Sequence, residues 1–496
     1  MPKPGSSKKL TIARVVSLCI IIAAVSLSSC GGGGGGGAVP NTTCTCSSGT
    51  PFWAADFTNN SLQCVCANLI DTGTHSRIFA ENTFSLTPAD VAWVKSAFDN
   101  DIYPADTANF GSEPNPGIDG DPLITILLMN IRDGYNGTTV KSYTAGYFDP
   151  GNEYPLTANP YSNRREMFYM NINPNLPLTQ TAFNTTLAHE FQHMIHWEQK
   201  IHLRNLDDDI WLNEAMSEIA PTFLYGRNCS RIYTYERDPS NSLTTWNGDI
   251  FDYGIVYMWS EYYKEQFGGS IFKSMMTTTS TGITSVNQAL AALPSSRTFT
   301  STFNDLSIAI GSGIATPPWW KGHPEWTYSF IETWASTCDT ISLPGLFGRT
   351  DNNSQNPTTL PALGPWSIGF SWYTPVSGTT GTVTWTASSP SQEAAFIDWG
   401  TNTLSANIAS GSSNTFNTNG LLIVRNPSSG SFGTGGGVLR TAPLAIGPAI
   451  YQSPKMMLDA ANVQSQAEGR PHNVCVHSAL LEREKELRMK GFKPGF

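Results

Sequence analysis

The chain has 496 residues, of which 40% are hydrophobic and only 14% are charged. This length suits two or three domains, and an aromatic content of 11% provides ample apolar surface to bury, which excludes an intrinsically disordered chain. The net charge of −10 excludes a nucleic-acid partner, because phosphate binding requires clustered Lys and Arg side chains.

The N-terminal residues predict export. A basic start precedes an apolar run, Val15 to Leu27, that is too short to span a bilayer but has the length of a signal-peptide core. The run ends at Leu27-Ser28-Ser29-Cys30, which resembles a bacterial lipobox, so residues 1–29 are predicted to be a lipoprotein signal peptide and Cys30 the lipidated residue. Ordinary cleavage with an unmodified cysteine is the alternative. The glycine-rich residues 30–43 predict a flexible tether, and hence a protein anchored by lipid to a bacterial membrane, at the outer membrane or cell surface.

The cysteines agree with an oxidising compartment. A C-x-C…C-x-C clamp within residues 44–74 consists of Cys44, Cys46, Cys64 and Cys66. Structural zinc sites favour wider cysteine spacing and exported proteins form disulfides, so the clamp predicts two disulfide bonds of undetermined connectivity, with zinc as the alternative. For Cys229 and Cys338 the sequence leaves two alternatives open, a third disulfide bond or two buried thiols.

Residues 75–340 contain both helical and strand patterns. Periodicity predicts helices at Pro88–Phe98, Thr185–Gln199, Ile210–Leu224 and Phe251–Gln266, and buried strands at Leu123–Leu128 and Glu166–Ile172. We expect the second strand to be a sheet edge that pairs with an extended peptide substrate. A turn containing Asp119 and Asp121 is interpreted as a plain turn, with a calcium ion as the alternative.

The C-terminal part of the chain changes character twice. Residues 345–450 contain short alternating strands, such as Gly381–Thr386 and Leu421–Val424, between Gly, Ser, Asn and Pro turns, which predicts a separate β-sandwich. Residues 451–496 end in a charged tail, in which Leu480–Lys490 is predicted to be a solvated helix without an assigned function.

The segment His189-Glu190-Phe191-Gln192-His193 is an H-E-x-x-H motif within a predicted helix. Residues i and i+4 share a helix face, so both imidazoles can bind one metal ion while Glu190 faces the ion's open position. A catalytic zinc needs a third protein ligand, and the candidates are His196, Glu198, His202, Asp207–Asp209, Glu214 and Glu218. His196 is interpreted as a flanking histidine and Asp207–Asp209 as an exposed loop that caps the next helix, which favours the helix bearing Glu214 and Glu218.

The segment Trp211-Leu212-Asn213-Glu214-Ala215-Met216-Ser217-Glu218, together with the H-E-x-x-H motif, resembles the gluzincins. Its N-E-A-M-S-E is similar to the N-E-A-x-S-D helix of thermolysin-like enzymes, and residues 75–290 look most like the hyicolysin family of secreted bacterial metallopeptidases. The resemblance implies an α+β fold: a gluzincin-type catalytic domain, with a mixed sheet and active-site helices, followed by the mainly-β C-terminal domain. It also implies His189, His193 and Glu214 as ligands of one catalytic Zn²⁺, and Glu218 as the acceptor that orients His189. Gluzincins use a side chain from a following helix to donate a hydrogen bond to the oxyanion. The resemblance implies Tyr253 in this role, with Tyr257 as the second candidate.

The expected function is a zinc-dependent endopeptidase in which Glu190 and Tyr253 are catalytic and zinc and Glu190 activate the water. Its expected partners are protein or peptide substrates and, through the N-terminal lipid, a membrane, and the protein is expected to be a monomer. An aminopeptidase is disfavoured because no G-x-M-E-N motif occurs, and a serine hydrolase because no G-x-S-x-G occurs. The alternative from another class is an adhesin-like surface-binding lipoprotein that retains an inactive peptidase fold.

Overall fold

A computed structural model describes residues 43–176, 179–313, 322–328, 338, 350–351, 363–373, 380–416, 419–428, 472–473 and 475–495. The predicted signal peptide, the predicted lipidation site Cys30 and nearly all of the predicted tether lie outside the described residues, as do all residues from 429 to 471. The elements below belong to one unit that begins at Cys44.

The central element is a six-stranded mixed sheet. In spatial order its strands are β1 (Thr50–Asp56), β2 (Ser61–Thr72), β3 (Ser76–Glu81), β4 (Ile124–Met129), β7 (Met167–Asn171) and β6 (Gly146–Phe148), and a two-residue strand β5 (Ser142–Tyr143) precedes β6. Strands β3, β4 and β7 are parallel, whereas β1, β2 and β6 pair antiparallel with their neighbours. This mixed sheet and its helices agree with the predicted α+β class.

The predicted edge strand is not at the edge. Its counterpart β7 lies between β4 and β6, and Phe168 is paired with Ile126 on one side and with Phe148 on the other. All five residues of β7 are buried, so the expectation that this strand pairs with a substrate is wrong. The edge on this side of the sheet is β6, a three-residue strand too short to give an alternating pattern in the sequence.

Nine α-helices follow one another through the described residues up to residue 313. They are α1 (Pro88–Ser96), α2 (Tyr103–Phe110), α3 (Gln180–His196), α4 (Ile210–Ile219), α5 (Cys229–Arg237), α6 (Ile250–Phe267), α7 (Ser270–Thr277), α8 (Gly282–Ala291) and α9 (Phe299–Ser312). The four helices predicted from periodicity are confirmed as α1, α3, α4 and α6, with shifted ends. They pack on the face of the sheet formed by Ile126, Phe168 and their neighbours, in one continuous apolar core.

The cysteine clamp belongs to the main sheet. Cys44 is bonded to Cys64 and Cys46 to Cys66, with Cα–Cα distances of 5.3 and 5.7 Å. A third disulfide joins Cys229, at the start of α5, to Cys338. The first two bonds fix the residues before β1 to the adjacent strand β2, so the sulfurs considered as zinc ligands are occupied by S–S bonds.

The β-rich region packs directly on the helical core. Its five-stranded sheet has the spatial order β12 (Thr403–Ser405), β11 (Glu393–Asp398), β14 (Gly420–Arg425), β9 (Ile368–Tyr373) and β8 (Thr350–Asp351), and a second sheet pairs β10 (Gly381–Thr384) with β13 (Ser413–Phe416). Ile397 and Ile423 face the core that contains α9. Phe396 and Leu422 face the opposite way and pack against Phe416 of the small sheet.

The C-terminal tail forms a strand, β15 (His472–Asn473), and a helix, α10 (His477–Met489). The prediction of a solvated helix is wrong for one face, because Ala479 and Leu480 are buried in an apolar cluster with Tyr147 and Ile250. Farther along α10, Glu484 is also buried. No helix among the described residues is both long and apolar enough to cross a lipid bilayer.

Glu166, which precedes β7, provides a pH-dependent contribution to stability. The carboxylate is 1% exposed and accepts a hydrogen bond from the Ile118 N–H at 2.6 Å, and burial raises its pKa to about 7. A raised acid pKa means that the folded state binds more protons than the unfolded state between about pH 4.5 and pH 7, so stability falls as the pH rises through this window. We expect Glu166→Gln to gain up to about 3 kcal/mol over the wild type between pH 4 and pH 8. Urea denaturation at both pH values measures this, with the exposed Glu265→Gln as control, and an equal pH dependence in Glu166→Gln and wild type would contradict it.

Candidate metal centre

The H-E-x-x-H segment lies in the middle of the buried helix α3. Thr179 caps this helix by accepting a hydrogen bond from the Ala182 N–H at 3.1 Å, and the residues from Thr186 to His196 are all buried. Helix α4, also buried, packs against α3 and presents Glu214 to the face that carries His189 and His193. The structure therefore brings these three side chains together from two helices.

Four donor atoms surround one point. His189 Nε2 and His193 Nε2 are 3.1 Å apart, and each is 3.7 Å from Glu214 Oε2. The Cys475 Sγ, from the tail, lies 3.6 Å from His193 Nε2, and all four donor atoms are within 4.8 Å of one another. Tetrahedral zinc with bonds of about 2.0 to 2.3 Å places its ligand atoms about 3.3 to 3.6 Å apart, so the four atoms fit such an ion.

The surroundings of His193 favour metal binding through Nε2. Its Nδ1 lies 3.0 Å from the Asn213 Oδ1, and because an amide oxygen only accepts, Nδ1 carries the proton. The Ser217 Oγ is also close to this nitrogen, at 2.9 Å. This leaves the lone pair of Nε2 directed at the other donor atoms, which is the arrangement that hydrogen-bonded metal ligands adopt.

Glu218 lies on the other side of His189. Its Oε1 is 3.6 Å from the His189 Nδ1, which is close but beyond a hydrogen bond. The carboxylate instead forms a two-pronged ion pair with Arg231, whose Nε and Nη2 donate at 2.8 and 2.7 Å. Arg231 also stacks on the Tyr253 ring at 4.4 Å, so it connects two of the predicted site residues.

Glu190 is held beside the donor atoms by the sheet edge. Its Oε2 accepts a hydrogen bond from the Phe148 N–H of β6 at 2.9 Å, and the side chain is 1% exposed. Burial is the largest cause that raises the pKa of Glu190 to about 8, against the opposing Phe148 hydrogen bond. A carboxyl that titrates near neutral pH is suited to accept and return a proton.

The electrostatics of this cluster suit a cation. Burial lowers the pKa of His189 to about 4 and that of His193 well below its usual value, so both imidazoles are neutral as metal binding requires. Burial also raises the pKa of Glu214, whose Oε2 has no hydrogen-bond donor among the described residues although the side chain is fully buried. An unsatisfied buried carboxylate oxygen facing two neutral imidazoles is costly without a cation between them.

The two tyrosines differ in what they contact. The Tyr253 hydroxyl donates a hydrogen bond to the backbone carbonyl of Cys475 at 3.2 Å, so it faces the donor cluster. The Tyr257 hydroxyl accepts from the Asn228 N–H and donates to Glu261, away from the cluster. Of the two residues, only Tyr253 is placed to contact a carbonyl group next to the four donor atoms.

The other candidate ligands have different partners. His196 and Lys200 both face the Asp208 carboxylate, and Glu198 pairs with His202 at 2.7 Å. Asp207 pairs with Arg488, and Asp209, at the start of α4, accepts from the Trp211 indole without forming a cap hydrogen bond. In the D-G-D turn, the Asp121 carboxylate pairs with Arg77 at 2.6 Å, which occupies an oxygen that the calcium alternative requires.

Sequence reasoning missed Arg231, Cys475 and His477. The His477 ring stacks on His193 at 3.7 Å, and its Nε2 is 3.4 Å from the Asn213 Nδ2. Cys475 is 261 residues from Glu214 along the chain, and no motif surrounds it. The H-E-x-x-H histidines were recognisable from their spacing, whereas these residues reach the site only through the fold.

Arg231 makes a strong contribution to stability. Replacement by Met would leave the Glu218 carboxylate, which is 2% exposed, without its cation, and removing one partner of a buried ion pair costs about 3 kcal/mol or more. We expect this loss in urea denaturation of metal-free protein, with Arg237→Met on the exposed face of α5 as the control. A loss below about 1 kcal/mol, the value of a surface pair, would contradict the prediction.

Comparison with known proteins gives one informative similarity. No family model matches the chain. A neutral metalloprotease of Staphylococcus hyicus, ShpI, is 31% identical over 243 residues, which are 45% of this chain and 53% of that protein. The chain thus spans about half the length of this curated relative. The similarity supports a relationship between this chain and metal-dependent proteases.

Proposed function

We propose that this chain is a zinc-dependent endopeptidase that hydrolyses peptide bonds of extracellular proteins, with His189, His193 and Glu214 as zinc ligands. The observation that carries the proposal is the convergence of three buried donor atoms at zinc-compatible distances, with Glu190 beside them. The similarity to a neutral metalloprotease supports the same chemistry at the level of metal-dependent proteases.

A zinc ion in this position would supply Lewis acidity, which lowers the pKa of a water molecule to about 7 and polarises the scissile carbonyl. Glu190 takes the proton of the attacking water and returns it to the leaving amine. The Phe148 N–H keeps the carboxylate in place through its hydrogen bond, while burial keeps its pKa close to the working pH.

Tyr253 is proposed to stabilise the developing oxyanion. Its hydroxyl already donates to a carbonyl oxygen in the cleft, that of Cys475, so it can donate to a substrate carbonyl in the same position. Arg231 fixes the Tyr253 ring and neutralises Glu218, which lies beside His189. Glu218 and Arg231 are positioning residues in this scheme.

The sheet edge offers a binding mode for an extended peptide. Strand β6 borders the metal centre, since its Phe148 contacts Glu190, and backbone groups at a sheet edge bind extended chains through main-chain hydrogen bonds. Such binding requires no free substrate terminus, which favours an endopeptidase. Glu190 argues against the inactive adhesin-like alternative, because a purely structural site has no use for a buried acid at this position.

Export and lipid anchoring through Cys30 are part of the proposal. The three disulfides support an oxidising compartment, because such bonds persist in exported proteins and are rare in the cytosol. Labelling with radioactive palmitate in a bacterial host, compared with Cys30→Ala, tests the anchor.

The decisive experiment combines metal analysis with peptide hydrolysis. We expect one zinc per purified chain and hydrolysis of casein or a quenched peptide that 1,10-phenanthroline abolishes. Both the wild type and Cys475→Ser should be assayed, because the Cys475 thiol faces the three ligands. Absence of zinc would refute the ligand assignment, and zinc without hydrolysis by either protein would refute the peptidase.

A further inference from the structure

The described tail residues His472, Asn473 and 475–477 lie in the cleft that a substrate would use. Strand β15 pairs in parallel with β5, and the Asn473 Oδ1 accepts a hydrogen bond from the Ala145 N–H at 2.9 Å. The His477 Nδ1 lies 3.3 Å from the Phe148 carbonyl oxygen. The tail therefore contacts the backbone at both ends of β6, the edge to which an extended peptide would bind.

The same segment reaches the groups proposed for catalysis. The carbonyl of Cys475 accepts the Tyr253 hydrogen bond, and its Sγ lies 3.6 Å from His193 Nε2 and 3.9 Å from Glu214 Oε1. A catalytic zinc site keeps one of its four positions open for water, whereas a closed site has four protein ligands. The Cys475 sulfur is the fourth donor atom of this cluster, and the unsatisfied Glu214 Oε2 independently indicates that a cation belongs among these atoms.

Helix α10 anchors the segment to the rest of the protein. Three residues, Val476, Ala479 and Leu480, are buried in the apolar cluster that contains Tyr147 of β6. Farther along the helix, the buried Glu484 accepts a hydrogen bond from the Tyr154 hydroxyl. Arg488 donates to Glu484 at 3.0 Å and also contacts Asp207, in the loop before α4. This anchoring keeps Cys475 at high effective concentration beside the metal ligands, which favours intramolecular binding over a dilute substrate.

We propose that the tail residues 472–473 and 475–490 act as an internal inhibitor of this enzyme, in which the Cys475 thiolate is the fourth metal ligand and occupies the position of the attacking water. The proposal rests on the proposed function. Zinc binding deprotonates a coordinating thiol, so ligation releases one proton. When the segment leaves, the thiolate departs with both electrons of the sulfur–metal bond and takes up a proton, while a water molecule takes its position; no oxidant or reductant is required.

Cobalt substitution tests the ligand without measuring activity. We expect the full-length Co²⁺-loaded protein to show a thiolate-to-cobalt charge-transfer band in the near ultraviolet that is absent from Cys475→Ser and Cys475→Ala. Met489→Ser, which alters an exposed residue at the end of α10, is the matched control and should retain the band. Equal spectra for the wild type and both cysteine variants would overturn the proposal.

Activity tests the inhibitory role separately. We expect Cys475→Ser to hydrolyse a quenched peptide at least about tenfold faster than the wild type, because the open position no longer requires displacement of a ligand. Arg488→Met keeps the cysteine but removes a contact that anchors α10, so Cys475 should leave the metal more often, which raises activity and reduces the cobalt band. This variant also tests the proposal if the cysteine variants fold poorly. Equal activity in the wild type and in both kinds of variant would overturn the inhibitory role.

The outcomes separate this proposal from the proposed function. If neither the wild type nor any variant binds metal, or if none of them hydrolyses peptides, the proposed peptidase function is refuted. Bound metal and hydrolysis in the wild type, without a thiolate band and without a gain in Cys475→Ser, refutes only the internal inhibitor. A thiolate band with no hydrolysis by any variant would indicate a closed structural metal site and overturn both.

Discussion

Glu190→Gln is expected to lower peptide hydrolysis about 10³-fold while the protein still binds one zinc per chain. Proton transfer by a positioned carboxylate contributes about 10² to 10⁴ in rate, and glutamine cannot accept the proton of water. The amide oxygen of glutamine can still accept the Phe148 hydrogen bond, so the fold and the metal ligands should be unchanged. The measurement is the hydrolysis rate of a quenched peptide at a fixed, verified zinc content.

The background and the control decide how this result is interpreted. The substitution should be made both in the wild type and in Cys475→Ser, so that any block by the Cys475 segment does not mask the loss. Glu265→Gln, an exposed replacement of the same chemistry on α6, should leave the rate unchanged. If Glu190→Gln retained more than a tenth of the activity, Glu190 would not be the proton acceptor.

Glu214→Gln is expected to separate metal binding from the stability of the metal-free protein. Loss of the carboxylate ligand should weaken zinc binding by at least about 100-fold, which removes at least about 2.7 kcal/mol of zinc-dependent stabilisation. In the presence of a chelator the variant should be as stable as the wild type or more so, because an unsatisfied buried carboxyl is replaced by a neutral amide of the same shape. Thermal denaturation with excess zinc and with chelator measures both effects.

Glu198→Gln is the matched control for this experiment. Glu198 was a candidate third ligand from the sequence, and it is also buried, but its carboxylate pairs with His202. This variant should keep the full zinc-dependent rise in melting temperature. If Glu198→Gln lost the rise and Glu214→Gln kept it, the assignment of the third ligand would have to be reversed.

The local parts of the site could be predicted from the sequence. The spacing of His189 and His193 places both on one helix face whatever the rest of the fold is, and the periodicity of α3, α4 and α6 is sufficient to identify these helices. Glu214 was different, because reasoning from the residues favoured its helix but did not distinguish Glu214 from Glu218 as the third ligand. Only the resemblance of its helix to that of the gluzincins singled it out, and the packing of α4 on α3 brings it to the histidines.

The remaining features depend on contacts between distant residues. Strands β5 and β6 have two and three residues, too few for a pattern, so the sheet edge was assigned to β7 instead. Six of the 13 residues of helix α10 are charged, and its apolar contacts come from Ala479 and Leu480 near its start and from the preceding Val476. Cys475 meets His193 across 282 residues of chain, a contact that no local pattern encodes.

The paired disulfides at the start of the sheet have a mechanical consequence. Strand β1 is at the edge, and a force applied to the chain before it would ordinarily peel it from β2 one hydrogen-bonded pair at a time. Cys44 and Cys46 are bonded to Cys64 and Cys66 in β2, so such a force enters β2 through two covalent bonds and bypasses β1. A protein held by its N-terminus in moving fluid would therefore transmit the load to the interior of its sheet, and reduction of these two bonds should lower its resistance to pulling from that end.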